Sequence, residues 1–565
     1  MDPIDSAFAS VWIVVFAATA KSGEVVAPLA LSARDAKTGL QIAIGAPKLF
    51  GVRRPPYPTG PRTLLVTIDA DMVVGCHLAL GWRVPERLVD LMIECRNDMG
   101  GQSAELVGGL GGALLRYGLP TAGALISGTS PEKMRRRLAV VSGLFMAMAP
   151  RLDLGRALLR GRYMCAVARI EAAGVPVDTT TLGRLTADWP AIRSSVIEIV
   201  DEAYGVHHRG RLDEGALAAW LGGRAIDWPR LPSGRLDLGD DTFRDMARAH
   251  PELRPLRELR ATGSGFDPSA IAVGRDGRNR TPLRPFASRP GRSQPSAKAS
   301  VLGKAAWIRH LILPAAGTGL ALIDWTQQEF GIAAALSGDT AMQAAYASGD
   351  PYLALAIRAG AAPPDATPAS HADARARFKI CALGLQYGMG VATLGRLIGQ
   401  SEAAARELQR SHRGAFPKFW TWSDQVEAHA MLTGRVSSVF GWTMHVGAGA
   451  NPRAIRNFPL QANGAEMLRL ACCLATEAGI KVCAPIHDAL LIEAPLRDLD
   501  DAIATAEHLM AEASAVVLDG FALRSSTRRV RAPERWREAK GRVVWEAVCR
   551  ALGERPAPVR GCHAT

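Results

Sequence analysis

The chain has 565 residues, of which 48% are apolar, so it is long enough for several domains with substantial cores. Its 67 Lys and Arg residues outnumber its 54 Asp and Glu residues, which gives a formal net charge of +13. This balance favours a polyanionic partner bound in a salt-sensitive way, although charge alone does not separate nucleic acid from a membrane surface.

The cysteines and the N-terminal apolar run bear on the compartment. The nine cysteines include no Cys-x-x-Cys pair, which predicts a reducing, cytoplasmic setting without a zinc site. Residues 11–20 form an apolar run that is too short to span a bilayer. No basic segment of the secretory type precedes this run, so we expect a cytoplasmic protein with no membrane partner.

The first 150 residues predict a domain that contains a β-sheet. Residues 11–16 and 63–68 are continuous apolar runs typical of buried strands. Asp69 and Asp71 follow the second run, and we expect them to lie in a turn after the strand. The first run carries no carboxylate.

The next 150 residues are predicted to be mainly helical. Residues 154–173 indicate a helix that ends at Gly174. Between residues 190 and 270, arginines recur at three-residue spacing, which suits contacts to phosphates and equally suits a solvated helix face. Residues 273–300 are basic and rich in Gly, Pro and Ser, so we expect a loop there.

A buried strand followed at once by acidic residues provides the first chemical signal. Residues 320–323 are apolar, Asp324 follows them, and Glu329 opens a pattern typical of an amphipathic helix. A carboxylate at the edge of a buried strand is held rigidly, as metal-ion chemistry requires. Taken alone, however, this stretch fits better an acid that merely ends a strand or caps a helix.

A second acidic signal lies near the C-terminus. Asp488 stands between two short apolar runs that resemble the arms of a β-hairpin, and His487 precedes it. Asp324 and Asp488 are so distant in the sequence that only the fold could bring them together.

Between the two acids, one predicted helix carries a stripe of functional side chains. Arg375, Lys379, Leu383 and Tyr387 recur every fourth residue, which keeps them on one helix face. Two cations suit a polyphosphate, and an aromatic ring suits a base. Taken alone, a solvated basic face explains the stripe equally well.

Together, these three segments resemble motifs A, B and C of the family A, or polymerase-I-like, DNA polymerases. Motif A corresponds to residues 324–329, motif B to residues 375–388 and motif C to residues 487–489, and their order and spacing also fit. The resemblance implies an α/β (α+β) fold of the right-hand polymerase type, with a palm sheet and helical fingers and thumb. A degraded RNase H-like domain of the exonuclease type is implied at the N-terminus.

The resemblance also implies a domain division. The expected segments are the degenerate exonuclease-like domain at 1–150, the thumb and start of the polymerase domain at 151–300, the palm at 301–338, the fingers at 339–452, and the palm and C-terminal tail at 453–565. In the family, the first region commonly holds a 3′→5′ proofreading exonuclease, whose two metals require several carboxylates. Because the first strand lacks them, we expect no proofreading here.

By the same resemblance, each motif residue acquires an expected role. Asp324 and Asp488 would hold two Mg²⁺ ions, for which Mn²⁺ can substitute, with the backbone carbonyl of Trp325 as a further ligand. Lys379 would be catalytic and would protonate the departing pyrophosphate. The implied dNTP-binding residues are Arg375, Lys379, Leu383, Tyr387, Glu329 and Gln327. The implied DNA-binding residues are Arg292, Arg309, Arg453, Asn457, Gln461 and His487.

Three positions depart from the family pattern. Pro290 replaces a Thr before Arg292, Leu383 replaces an aromatic residue that is often present in the stripe, and Ala489 replaces the Glu that usually follows the His-Asp pair. The last substitution fits an enzyme of reduced activity and also fits a decayed, inactive copy.

We therefore predict a DNA-directed DNA polymerase of the phage or mobile-element type that adds dNTPs to a primer 3′-OH by a two-metal-ion mechanism. Replication, repair and element maintenance stay open as its role. Its partners would be primer–template DNA and dNTPs, and it would act as a monomer. One alternative is a catalytically inactive protein that binds primer–template DNA. Another is a single-subunit RNA polymerase, which Glu329 disfavours because its bulk would exclude a ribose 2′-OH.

Overall fold

A computed structural model describes residues 3–101, 109–121, 128–263, 266–303 and 305–554. The strands of these ranges are β1 Ser10–Thr19, β2 Ala27–Asp35, β3 Gln41–Gly45, β4 Thr63–Thr67, β5 Leu88–Asp90, β6 Val175–Pro176, β7 His207–His208, β8 Arg211–Leu212, β9 Arg278–Asn279, β10 Thr318–Trp325, β11 Arg435–Ser437, β12 Thr443–His445, β13 Lys481–Ile486, β14 Ala489–Pro495 and β15 Ser525–Arg531.

The α-helices are α1 Pro3–Ala7, α2 Ala46–Leu49, α3 Ala70–Ala79, α4 Leu91–Asp98, α5 Gly109–Arg116, α6 Pro131–Met148, α7 Leu154–Ala173, α8 Thr179–Ala187, α9 Trp189–Asp201, α10 Glu214–Gly222, α11 Asp240–Ala249, α12 Arg254–Gly263, α13 Gln328–Ser337, α14 Thr340–Ala347, α15 Pro351–Arg358, α16 Ala372–Gln386, α17 Val391–Leu397, α18 Glu402–Ala415, α19 Pro417–Thr433, α20 Pro452–Glu477, α21 Leu499–Val517 and α22 Arg542–Ala551. Among the described helices, none is long and apolar enough to cross a membrane.

The chain divides into two compact units. The first unit consists of Met1–Gly174, Pro282–Pro295 and Leu320–Arg529. The second unit consists of Val175–Thr281, Ser296–Gly319 and Val530–Thr565.

The first unit begins with a five-stranded sheet, here called the N-terminal sheet, in the order β3-β2-β1-β4-β5. Strand β1 runs antiparallel to β2 and parallel to β4, which in turn runs parallel to β5. Along β1, Val11, Ile13 and Val15 enter one apolar core, whereas Trp12 and Val14 enter another. Burial on both faces explains the continuous apolar run and confirms the strands predicted at 11–16 and 63–68.

The junction after β4 differs from the expected turn. Asp69 immediately precedes α3, and Asp71 lies in its first turn. The prediction of a turn was therefore wrong for Asp71, because an acid in the first turn suits the positive end of a helix. Asp69 lies in the two-residue connection between β4 and α3.

The first unit also contains a four-stranded sheet, here called the palm sheet, in the order β13-β14-β10-β15. β13 and β14 are antiparallel and are joined by only two residues, His487 and Asp488, as the hairpin prediction required. His487 adopts a left-handed backbone conformation with φ of +57°, which lets the chain reverse within this short turn.

Helices α13, α19, α20 and α21 pack around the palm sheet and one another. Pro459 was expected to start or kink a helix, but α20 begins seven residues earlier, at Pro452. The proline has no N–H to offer, whereas its carbonyl accepts a hydrogen bond from the Asn463 side chain at 2.9 Å. By contrast, the helix predicted at 154–173 is confirmed as α7, with both ends where they were expected.

The second unit is mainly helical and has its own aromatic core. Trp307 stacks with Trp189 at 6.1 Å and with Trp545 of α22 at 6.4 Å between ring centroids. One further helix was predicted for residues 497–565, but the described part of this segment contains two, α21 and α22, with β15 between them. The alternating burial of β15 is weak because its side chains are mostly polar, so its strand signal is poor in the sequence.

Candidate active site

The fold brings the two predicted carboxylates together at one end of the palm sheet. Asp324 lies near the end of β10, and Asp488 occupies the turn that precedes β14, the neighbour of β10 in the sheet. The N–H of Trp325 donates a hydrogen bond to the backbone carbonyl of Asp488 at 3.4 Å. The side chains of the two aspartates are within hydrogen-bonding reach of each other.

The electrostatics of this pair are unfavourable without a third partner. Burial in the first place, and then the charge of Asp488 and a hydrogen bond with it, raise the pKa of Asp324. Oδ1 of Asp324 is buried and has no hydrogen-bond partner in the described part of the chain. Two adjacent carboxylates with unused oxygen lone pairs form a donor set that suits a divalent cation.

The donor set also limits which metal would fit. Within the described ranges, no three His, Cys, Asp or Glu side chains are grouped closely enough to hold a metal ion. Mg²⁺ does not require more protein ligands than this, because it commonly binds through one or two carboxylates together with waters and substrate phosphates. The residues present therefore fit Mg²⁺ or Mn²⁺ brought together with a phosphate ligand. The use of the Trp325 carbonyl as a further ligand stays a prediction.

The stripe helix is confirmed as α16, and its two cations lie near one aromatic ring. The Arg375 guanidinium is 6.0 Å and the Lys379 ammonium 5.7 Å from the ring centroid of Tyr352. Arg375 also forms an ion pair with Asp350, whereas Lys379 is exposed. Leu383 follows on the same helix, half-buried against the apolar core.

Tyr387 ends α16 and brings several predicted residues into one neighbourhood. Burial raises the pKa of Tyr387, and the charge of Glu329 and a hydrogen bond with its side chain raise it further. The charges of Arg292 and Asp488 also act on this hydroxyl group, which indicates that both lie close by. Gln386 strengthens the junction because its side-chain amide donates to the backbone carbonyl of Glu329 at 2.7 Å.

The predicted residues of α20 close the end of α16. Arg453 Nε and Asn457 Nδ2 each donate a hydrogen bond to the backbone carbonyl of Tyr387, both at 3.3 Å. Gln461 lies one turn further along α20 and is half-buried. These contacts give Arg453 and Asn457 a structural role at Tyr387 that the sequence pattern did not predict.

Three other predicted residues have different surroundings. His487 is exposed in the hairpin turn beside Asp488. Gln327 precedes α13 in a left-handed conformation, with φ of +48°. Arg309 belongs to the second unit, where its guanidinium pairs with Glu538 at 3.3 Å.

Several buried polar atoms without partners mark the same region. In the ranges that the structure describes, such atoms are Asp324 Oδ1, Trp325 Nε1, Gln327 Oε1, Gln328 Nε2 and Asn457 Oδ1. Buried polar groups are nearly always hydrogen-bonded in native proteins. Asp324 Oδ1, which belongs to the carboxylate pair, is therefore an atom whose bonding a ligand atom or water would complete.

Sequence reasoning missed Asp350 and Tyr352, which surround the cations of α16. Asp350 caps α15 by accepting hydrogen bonds from the N–H groups of Tyr352 and Leu353 at 3.2 and 3.1 Å. The Asp-Pro pair at the start of a helix pattern is a recognisable capping signal. Nothing in the local sequence, however, connects this cap with Arg375, since that contact depends on the packing of α15 against α16.

Comparisons of the sequence with known proteins give matches to DNA polymerases. The model of a family described as DNA polymerase family A matches residues 300–525. The thermostable DNA polymerase I of Thermus thermophilus is 25% identical over 385 residues, which cover 61% of this chain and 44% of that protein. The DNA polymerase of Mycobacterium phage L5 is 26% identical over 242 residues, which cover 42% of this chain and 39% of that one. The chain thus spans less than half the length of these curated relatives.

A solved structure shares the fold over nearly the whole chain. The POL domain of Pol1 from M. smegmatis, in complex with DNA primer-template and dNTP, matches with a TM-score of 0.71. The match covers 93% of this chain and 96% of that chain at 20% sequence identity. At this identity, the likeness establishes the fold.

Proposed function

We propose that this chain is a DNA-directed DNA polymerase of family A, the family whose model matches residues 300–525. It adds dNTPs to the 3′-OH of a primer under the direction of a template strand. The observation that carries this proposal is the meeting of Asp324 and Asp488 at one end of the palm sheet, with an oxygen left without a partner among the described residues. The complex named for the similar solved structure, with primer-template and dNTP, supports the same substrates.

In this proposal, the two aspartates hold a pair of Mg²⁺ ions, for which Mn²⁺ can substitute. When bound, such a pair supplies charge neutralisation for both the attacking and the leaving oxygens of an in-line displacement. The chain's own contribution is rigidity, because β10 and the two-residue turn fix both carboxylates. The backbone carbonyl of Trp325 is a further ligand in the same proposal.

The cations of α16 receive the triphosphate. Lys379 is exposed, and it binds the phosphates and donates a proton to departing pyrophosphate. Arg375 is paired with Asp350 and so binds phosphate through the donors that Asp350 leaves unused. The aspartate therefore acts as a positioning residue that orients the guanidinium fork.

The sugar and base of the nucleotide lie between α13 and α16. Glu329 is held by the hydroxyl of Tyr387, so its side chain has a fixed position from which its bulk excludes a ribose 2′-OH. The ring of Tyr387 stacks near the templating position, while Leu383 and Gln327 complete the nucleotide pocket. This arrangement favours DNA synthesis over RNA synthesis.

The remaining basic and amide residues bind primer–template DNA. In the first unit, Arg292, Arg453, Asn457, Gln461 and His487 contact the duplex. Arg309 of the second unit is a DNA-binding residue in the same proposal. Amide and guanidinium donors near a groove can bind the N3 and O2 acceptors that every base pair presents in the minor groove. Such contacts depend on pair shape and not on sequence.

The domain roles follow the same proposal. Residues 301–338 and 453–565 form the palm, residues 339–452 the fingers, and residues 151–300 the thumb. Residues 1–150 form an exonuclease-like domain without proofreading activity, since β1 carries no carboxylate to bind metal. The enzyme acts as a cytoplasmic monomer in replication, repair or the maintenance of a mobile element.

A primer-extension assay with a labelled primer–template, Mg²⁺ and either dNTPs or rNTPs tests the proposal. We expect template-directed extension with dNTPs and very little with rNTPs, and no removal of a mismatched primer end. Glu329→Ala should admit ribonucleotides, with Glu402→Ala on an exposed helix of the same unit as the control. Tight duplex binding with no extension under any condition would instead identify an inactive binding protein.

A further inference from the structure

A loop that carries Arg292 is held in an unusual backbone conformation. In this segment, Pro282–Pro295, here called the 282–295 loop, Arg284 and Phe286 have φ values of +48° and +56°. Residues other than glycine adopt such values only where the surroundings impose them. The Arg292 N–H donates to Ser288 Oγ at 2.8 Å, which ties Arg292 to this fixed backbone.

The N-terminal sheet region makes direct contact with the loop through the end of α4. Arg96 Nη1 donates a hydrogen bond to the backbone carbonyl of Pro285 at 3.3 Å. Gly101 has a φ of +69°, and a Cβ atom built there would lie 2.7 Å from the carbonyl oxygen of Arg289. The backbone therefore approaches the loop so closely that only glycine fits at this position.

The same end of α4 forms a hydrogen bond with the hairpin β11–β12, and this hairpin contacts the 282–295 loop. Asn97 Oδ1 accepts a hydrogen bond from the Thr443 N–H at 2.9 Å. One residue earlier, the indole of Trp442 donates to the carbonyl of Arg289 at 3.0 Å, and its ring lies 4.9 Å from that of Phe286. Asn97 thus fixes the strand whose tryptophan packs against the loop.

Helices α7 and α20 also contact the 282–295 loop. Glu171 accepts a hydrogen bond from the Leu283 N–H at 2.7 Å, and Arg469 Nη1 donates to the carbonyl of Gly291 at 2.6 Å. Glu94 of α4 forms a buried two-point ion pair with Arg160 of α7, at 2.7 and 2.6 Å. Paired buried charges tolerate little displacement, so α4 and α7 form one rigid support.

We propose that the N-terminal sheet region has been kept as a scaffold that positions Arg292 for primer–template DNA, with Asn97 and Arg96 as its positioning residues. This inference rests on the proposed function, because it requires Arg292 to contact DNA. It gives the region a purpose that does not depend on the carboxylates missing from β1. Loss of the scaffold contacts lets the 282–295 loop sample other conformations. Binding of DNA must then order the loop, which lowers the affinity for DNA.

The test separates positioning from general stability. Asn97→Ala should raise KM for primer–template about five- to tenfold, the effect of one lost structural hydrogen bond, while KM for dNTP stays within about twofold. Asn97→Asp keeps the acceptor for the Thr443 N–H and should restore wild-type KM. Asp98→Ala is the matched control, because Asp98 lies on the same helix and pairs with Arg116 within the N-terminal region.

A double-mutant cycle with Arg292→Ala makes the coupling measurable. Arg292→Ala alone should raise KM for primer–template, and adding Asn97→Ala to it should have almost no further effect. Hydrogen exchange of residues 282–295 should be faster in Asn97→Ala than in Asp98→Ala. Arg96→Ala, which removes the hydrogen bond to Pro285, should reproduce the pattern, and it replaces Asn97→Ala if that variant fails to fold.

The outcomes that overturn the inference differ from those that overturn the proposed function. If Arg292→Ala raises KM for DNA while Asn97→Ala and Arg96→Ala do not, or if their effects add fully, the scaffold inference fails alone. If Arg292→Ala has no effect on KM, its proposed contact with DNA fails first. If the wild-type chain neither extends primers nor binds them, the proposed function itself is wrong.

Discussion

Two groups of aspartates in the first unit invite comparison, because both lie at or just after the ends of strands. At the N-terminal sheet, Asp69 forms a 2.5 Å ion pair with Arg137, and Asp90 accepts hydrogen bonds from the N–H groups of Ala70, Met92 and Ile93. At the palm sheet, Asp324 faces Asp488 and has a buried oxygen without a partner among the residues described.

The difference separates carboxylates that have partners within the protein from carboxylates that form a binding site. Burial and the neighbouring charges of Asp69 and Asp71 also raise the pKa of Asp90. The contrast is that the protein itself supplies a cation, Arg137, to Asp69 and N–H donors to Asp90. The palm carboxylates repel each other, and their stabilisation must come from a ligand. Paired acids at strand ends are therefore ambiguous in the sequence, and their partners decide which pair does chemistry.

The largest expected effect concerns catalysis. Asp324→Asn and Asp488→Asn should each slow single-turnover primer extension on the order of a thousandfold or more, because each removes charge that the two-metal mechanism requires. Asp69→Asn is the matched change at the N-terminal group and should alter the rate by less than about twofold. A comparable loss in all three variants would erase the distinction.

The second effect concerns stability, and here the substitution at the N-terminal sheet should have the larger effect. Asp90→Ala should lower the free energy of unfolding by about 1–3 kcal/mol, because it leaves the start of α4 uncapped and buried N–H groups unpaired. Asp324→Asn should leave that free energy unchanged or raise it, since it relieves repulsion. Urea titrations followed by circular dichroism provide the comparison, and destabilisation by Asp324→Asn would contradict it.

Cation affinity provides a third test that does not depend on activity. Electron paramagnetic resonance should detect Mn²⁺ bound by the wild-type chain in the presence of a dNTP. Asp488→Asn should weaken this binding about tenfold or more, because one of two protein carboxylates loses its charge. Asp69→Asn should bind Mn²⁺ as the wild type does. An equal loss of Mn²⁺ affinity in this variant would indicate that the cation binds at the N-terminal sheet.

The smallest effect is a pH dependence of the N-terminal region. Burial in the first place, and then the charge of Asp71, raise the pKa of Glu171 to about 7. A raised carboxyl pKa means that the folded state binds the extra proton, so this contribution to stability is present near pH 4 and is lost as pH rises through 7.

Asp71→Asn should therefore melt about 1–2 °C above the wild type at pH 8, with a difference that shrinks towards pH 4. Asp98→Asn, which alters a carboxylate paired with Arg116, should not reproduce this pH-dependent gain. A constant difference across the pH range would show that Glu171 is not involved.

Local patterns predicted the elements of the site, and packing decided their contacts. The apolar run before Asp324, the hairpin around Asp488 and the four-residue stripe on α16 are each written in a short stretch of sequence. The pairing of Arg375 with Asp350 arises only when α15 meets α16, and the grip of Asn97 on Thr443 joins segments far apart in the chain. Neither leaves a periodic signal, so sequence reasoning could not find them.

The two-residue turn between β13 and β14 also limits how this protein can change in length. Side chains alternate between the faces of a sheet, so a single inserted residue there would shift the register and rotate Asp488 away from Asp324. This corner therefore tolerates neither insertion nor deletion. Alignments of divergent copies are best anchored at this hairpin.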